Sequence, residues 1–155
     1  MTRAFVWFAV IVLVFGAIAA FELNYFSKYD TSVLPKAGLY TIRLKDIPLE
    51  VSIAQTPEEL QRGLSGTKSL PPNQGMLFVF PKSDTYSFWM KDMQYSIDIF
   101  WLADNGRIVY MAQGVSPESY PATYRSSVPV RYVLELPAGF AEVHSVRVGD
   151  IVHFQ

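Results

Sequence analysis

The chain has 155 residues, 50% of them hydrophobic, and a formal net charge of -1. That length fits one domain, and the near balance of charge argues against a nucleic-acid surface, a polybasic membrane patch or an acidic tail. The absence of cysteine excludes disulfides, thiolate catalysis and cysteine metal sites, but it does not identify a compartment.

Residues 4–21, AFVWFAVIVLVFGAIAAF, carry no charge. As a helix rising about 1.5 Å per residue they span roughly 27 Å, close to the hydrocarbon thickness of a bilayer. Arg3 precedes the run and the next basic residue is Lys28. The positive-inside rule therefore keeps the N-terminus cytoplasmic and exports the rest. Trp7 and Phe8 lie near one end and Phe21 and Tyr25 near the other, as in the aromatic belts of a spanning helix. Gly16 and Ala20 form a small-xxx-small pair that lets a second helix approach. The expectation is a single-pass anchor over residues 1–24 in the inner (cytoplasmic) membrane, with the C-terminal domain extracytoplasmic. The alternative is a signal peptide cleaved near AIAA, residues 17–20.

Residues 25–37 read as a linker and residues 38–155 as a β domain. LYTIRL and PLEVSIA alternate apolar and polar residues, with a turn at KDIP between them. TPEEL starts a short helix, with Thr56 as N-cap, Pro57 at the first position and Glu59 closing a capping box. SLPPNQG is a loop. MLFVF is a strand ended by Pro81, and TYSFWM is the next. IDIFWLA and RIVYMA flank DNG, a tight-hairpin signal because Asn and Gly tolerate positive φ. Residues 114–129 form a long loop. VRYVLEL is a strand, AGFAEVH one helical turn, and GDIVHF the last strand. About seven to nine short strands with one short helix predict a mostly β, compact sandwich-like or barrel-like fold.

In this order and spacing, RGLSG, GMLFVFP, SFWMKDM, IDIFWL, YVLELPAGF and VGD resemble the DUF192 family, also called UPF0127. The resemblance runs over about residues 51–154 and is carried by long phrases. It implies a compact β domain, often exported or membrane-anchored, and no established activity. Many members have two cysteines in the loop matching VSPESYP, where this chain has Ser116, Ser119 and Tyr120.

Strand alternation in SFWMKDM puts Phe88 and Met90 on one face and Trp89 and Lys91 on the other. Lys91 and Asp92 fall where the strand leaves the sheet, either as a solvated rim or, with Trp89 as wall, as polar anchors of a pocket. Asp98 shares a face with Phe100 and Leu102, so its carboxylate must find donors or raise its pKa. Lys91, Arg107 or backbone amides are the candidates to satisfy it, making it either a structural pin or a ligand-binding group. Glu135 alternates against apolar neighbours and is expected on an outward, solvated face. Arg62 and Ser65, with Gly66, form either an anion nest or a plain helix C-cap.

Met90 and Met93, with Met76 or Met111, read as core filling, with soft-metal binding the weaker alternative. His144 and His153 lack ligand spacing, so no metal or cofactor is expected. No G-x-S-x-G, HExxH, Walker or GxGxxG motif occurs.

The expected function is a non-catalytic, membrane-anchored accessory or structural subunit of a larger membrane assembly. Its partners would be the lipid bilayer and other membrane proteins, met through the helix and the exported domain, and not nucleic acid. The alternatives are a small-ligand-binding module near Trp89, Lys91, Asp92 and Asp98 or, less favoured, a hydrolase.

Overall fold

A computed structural model describes residues 38–154. The expected anchor and linker, including Trp7, Phe8, Gly16, Ala20 and Tyr25, lie outside the described residues. Among the described residues no helix is long and apolar enough to cross a membrane.

The elements are β1 (Tyr40–Leu44), β2 (Ile47–Ala54), α1 (Pro57–Arg62), β3 (Gln74–Asp84), β4 (Ser87–Phe88), β5 (Ile97–Leu102) and β6 (Ile108–Val115). A 3-10 turn at Pro117–Ser119 follows, then β7 (Tyr124–Arg125), β8 (Val130–Pro137), α2 (Phe140–Val143) and β9 (Val152–Phe154). Seven strands form one sheet in the order β6-β5-β8-β3-β2-β1-β9, and β4 pairs with β7 in a small second sheet. The β2–β3 pair is parallel, with α1 in the crossover a parallel pair requires. The remaining pairs are antiparallel.

The large sheet curls until its outermost strands meet at one end. Arg107 bridges to Ile151. The Ile108 N–H donates to the Asp150 carbonyl at 2.8 Å, and the Val152 N–H to the Gly106 carbonyl at 2.9 Å. The mostly β expectation holds, in the form of a curled half-barrel.

Both faces of this sheet are buried, for different reasons. One face gathers Ile42, Leu77, Phe100, Leu134 and Leu136, closed by Phe140 and Ala141 of α2. The other gathers Phe78, Phe80, Ile99, Trp101 and Val133, covered by Leu64 after α1 and by Phe88 of β4. Every residue of β5 is consequently buried, the signature of a central strand covered on both sides. Each large apolar side chain so removed from water contributes about 1.5–3 kcal/mol.

The capping box of α1 forms as expected. The Glu59 N–H donates to Thr56 Oγ1 at 3.3 Å, and the Thr56 N–H to Glu59 Oε2 at 3.0 Å. Those backbone bonds, Thr56's first, hold the Glu59 carboxyl below its ordinary range. The DNG hairpin also forms, with Asn105 Oδ1 accepting from the Arg107 N–H at 3.1 Å.

Three expectations need correction. Pro81 does not end its strand: β3 runs on to Asp84. The β3–β8 register shifts between Val79 and Asp84, and a residue without a backbone donor is tolerated at such an irregularity. TYSFWM pairs only at Ser87 and Phe88. The long loop 114–129 contains β7 and a 3-10 turn capped by Ser116.

Candidate functional site

A cavity of about 110 Å³ opens on the second face, beside α1. Its wall comes from α1 and the RGLSG phrase (Leu60, Arg62, Gly63, Leu64, Ser65), from Phe78 and Phe80 of β3, and from Tyr86, Ser87, Phe88 and Trp89 around β4. Gln61, Met93 and Glu135 complete it.

Two hydrogen bonds explain why distant phrases share this wall. Ser65 Oγ donates to the Lys91 carbonyl at 2.8 Å, and the Gly66 N–H donates to the Asp92 carbonyl at 2.9 Å. Asp92 sits at φ 58, so the chain turns sharply there. RGLSG is thereby strapped to SFWMKDM. Gly63, at φ +51, packs so closely on Phe78 that a Cβ would come within 3.0 Å of the ring. Its N–H donates to the Glu59 carbonyl at 2.8 Å, a helix C-cap.

The sequence candidates separate accordingly. Trp89, Arg62 and Ser65 line the cavity. Trp89 is 51% exposed, and its ring meets Tyr120 of the long loop edge-on at 6.2 Å. Lys91 and Asp92 supply carbonyls to the strap, but their side chains are exposed and absent from the cavity wall. Asp98 is fully buried on the opposite cluster's side and also does not line the cavity.

The carboxylate of Asp98 is occupied by the backbone. Oδ1 accepts from the Gly114 N–H at 2.7 Å and the Gly139 N–H at 3.3 Å. Oδ2 accepts from the Ala141 N–H at 2.9 Å. The β5–β6 register slips between Ile97 and Ile99, and the bulge this makes in β6 turns the Gly114 N–H toward Asp98. Gly139 and Ala141 belong to the start of α2, where orphan helix donors need an acceptor. Backbone amides, one of the candidate donor sets, thus satisfy Asp98; they come from β6 and the start of α2.

Glu135 is the residue the sequence reading misplaced. It is only 5% exposed, not solvated. On β8 it lies opposite Met76 of β3 and Ile99 of β5, on the face that α1 and β4 cover. Among the described residues its Oε2 has no hydrogen-bond partner. Burial pushes the carboxyl up to about 8, so the neutral acid predominates at pH 7. Nearby Tyr95 is raised chiefly by burial, against the Thr67 hydrogen bond, with a further push from Glu135. The readable signal was a carboxylate inside YVLEL, an otherwise apolar strand; alternation alone sent it to the wrong environment.

Among the described residues no group of three His, Cys, Asp or Glu side chains converges on a metal site. Met76, Met90 and Met93 pack in the cluster around the cavity, whereas Met111 packs in the other. His144 packs against Phe140 with ring centroids 4.4 Å apart and the planes tilted, and His153 is exposed.

The fold and site together define a small half-barrel domain with an aromatic-lined cavity and one buried carboxyl in its wall. The chain belongs to the DUF192 family, described as "Uncharacterized ACR", whose pattern matches residues 40–154. Among solved structures it is similar to a Sinorhizobium meliloti protein described as a "putative transcription regulator". That match has 29% identity and a TM-score of 0.72, over 78% of this chain and 97% of that one. It is also similar in fold to a Novosphingobium aromaticivorans protein of unknown function, at 23% identity and a TM-score of 0.72, over 78% and 90% of the two chains. No curated protein matches the chain significantly.

Proposed function

We propose that the β domain is a non-catalytic ligand-binding module whose site is the cavity between α1, β4 and Glu135. The observation that carries this reading is Glu135, a buried carboxyl among the residues that line the cavity, whose Oε2 has no protein partner. Burying such a group costs on the order of 1–3 kcal/mol, and a bound ligand offsets that cost. Aromatic side chains line the cavity together with polar groups from α1 and β4, a combination suited to holding and orienting a small molecule. The cavity replaces the site expected around Lys91 and Asp98. The near balance of 13 basic and 14 acidic residues gives no support for extending the regulator description of the Sinorhizobium protein to DNA binding here.

The test is a fragment screen of neutral, cationic and anionic compounds against the full chain in mild non-ionic detergent, read at the Trp89 indole N–H by NMR. Fragments that shift this signal and displace one another are expected. A screen in which no fragment of any charge perturbs it overturns the reading.

A second role, compatible with the first, is an accessory subunit held at the outer surface of the inner membrane by residues 1–24. The charge-free run over residues 4–21 and the exposed Trp89–Tyr120 pair favour it. Mass spectrometry of the intact chain and its companions after gentle solubilisation tests it. Stoichiometric membrane companions with residues 1–24 retained are the expected result, and a solitary, cleaved chain overturns it.

A further inference from the structure

We infer that the ligand of this cavity is a small organic monocation, an ammonium group on a short aliphatic stem, with Glu135 as its counter-charge. The inference rests on the ligand-binding reading and specifies its chemistry.

The first observation is size. A cavity of about 150 Å³ takes benzene. The 110 Å³ here therefore admits roughly five heavy atoms, a head group rather than a whole cofactor. The second is the wall. Five of its residues are aromatic, namely Phe78, Phe80, Tyr86, Phe88 and Trp89, and Met93 adds a polarizable sulfur. Aromatic rings attract cations through their quadrupoles, and the attraction grows in a desolvated site. A neutral or anionic ligand gains nothing from that field.

The third observation is Glu135 itself. An ammonium group offers three donors to the carboxyl of Glu135, which is among the residues lining the cavity and whose Oε2 has no protein partner. Arg62 is the opposing charge, but it is exposed at the rim, where solvent screens it.

Binding has a balanced proton account. The free site holds Glu135 as its neutral acid. When R–NH3+ enters, Glu135 gives its proton to solvent and the ammonium–carboxylate pair remains, so about one proton is released per cation bound. Affinity should rise about ninefold from pH 6 to 7 and about fivefold from pH 7 to 8, and flatten above the free-state value. The other charged or titratable groups around the carboxyl are Arg62, Tyr86 and Tyr95. Neither arginine nor tyrosine belongs to a class that titrates in that window.

The experiment titrates the full chain in non-ionic detergent with n-butylammonium, 1-butanol and butyrate, following the Trp89 indole N–H by NMR at pH 6, 7 and 8. Butylammonium should bind at least about tenfold tighter than the other two at pH 8, and should tighten with pH as stated. Glu135→Gln should abolish both the preference and the pH slope. If that variant fails to fold, the wild-type slope and the proton release measured by calorimetry in two buffers still decide the matter. Tighter binding of butanol or butyrate, or a flat pH profile, overturns the cation while the binding module stands. Absence of binding by all three overturns the cation, and the broader fragment screen then decides the module separately.

Discussion

Two carboxyl groups are buried in this sheet, and they are treated oppositely. Asp98 on β5 faces the cluster closed by α2, and its oxygens accept three backbone N–H groups. Glu135 on adjacent β8 faces the cluster covered by α1 and β4, and its Oε2 accepts none. The two strands pair directly, with Asp98 opposite Leu136 and Glu135 opposite Ile99. Burial by itself therefore does not decide whether a carboxyl is satisfied by its fold. Whether the fold supplies partners does. Asp98 serves the backbone: it gathers a bulge and a helix start that would otherwise leave donors unmet. Glu135 is held among the residues that line the cavity with its Oε2 unpartnered.

The largest expected effect breaks the saturated member of the pair. Asp98→Ala strips three donors of their acceptor and should cost about 3–5 kcal/mol. Asp98→Asn, which keeps one acceptor oxygen, should cost about half as much. Urea unfolding measures both, and an Asp98→Ala variant within about 0.5 kcal/mol of wild type would dissolve the contrast.

Next comes the pH dependence of Glu135. Its folded value of about 8 lies above its unfolded value, near the ordinary 4.5. Between them the folded state binds more protons, so wild-type stability is fully present below about pH 4.5 and falls as pH rises toward 8. The ceiling on that loss is on the order of 5 kcal/mol, and water entering the cavity lowers it. Glu135→Gln should remove the slope and be the more stable protein at pH 8. Denaturant midpoints at pH 5 and pH 8 check this, and a steeper slope in the variant would contradict it.

Gly63→Ala sharpens the comparison on the cavity side. A side chain at φ +51 that crowds Phe78 at 3.0 Å should cost about 1–2 kcal/mol. It should also shift the Trp89 indole signal. Thr56→Ala removes the cap of α1 and should cost about 1 kcal/mol. Trp89→Ala, at an exposed rim, should change stability by less than about 0.5 kcal/mol while weakening fragment binding.

The sequence carried what was local. The Thr56–Glu59 box, the DNG hairpin and the alternation of β1 and β2 are set by residues a few positions apart, and they were readable. Asp98's need for donors was readable from its apolar strand face. Its donors were not, because a bulge at Gly114 and a helix start at Gly139 are distant in sequence. Glu135 was misread for one reason. Alternation distinguishes a covered face from a wet one only when one face is wet, and here Leu64 and Phe88 arrive from other parts of the chain to cover the second. Trp89, Arg62 and Ser65 were singled out separately, but their meeting depends on the strap between RGLSG and the Lys91–Asp92 carbonyls, which no periodicity encodes.

The seam where β6 meets β9 has a consequence for behaviour in a crowd. A sheet with open outer strands offers unpaired N–H and C=O groups to any passing copy, and such edges seed polymerisation. Here Arg107–Ile108 and Asp150–Val152 spend several of those groups on each other. Gly106 lets them do so, since a Cβ there would fall 2.3 Å from the Val152 carbonyl oxygen. Any side chain at that position would pry the seam apart, and the first sign of damage would be sticking between molecules.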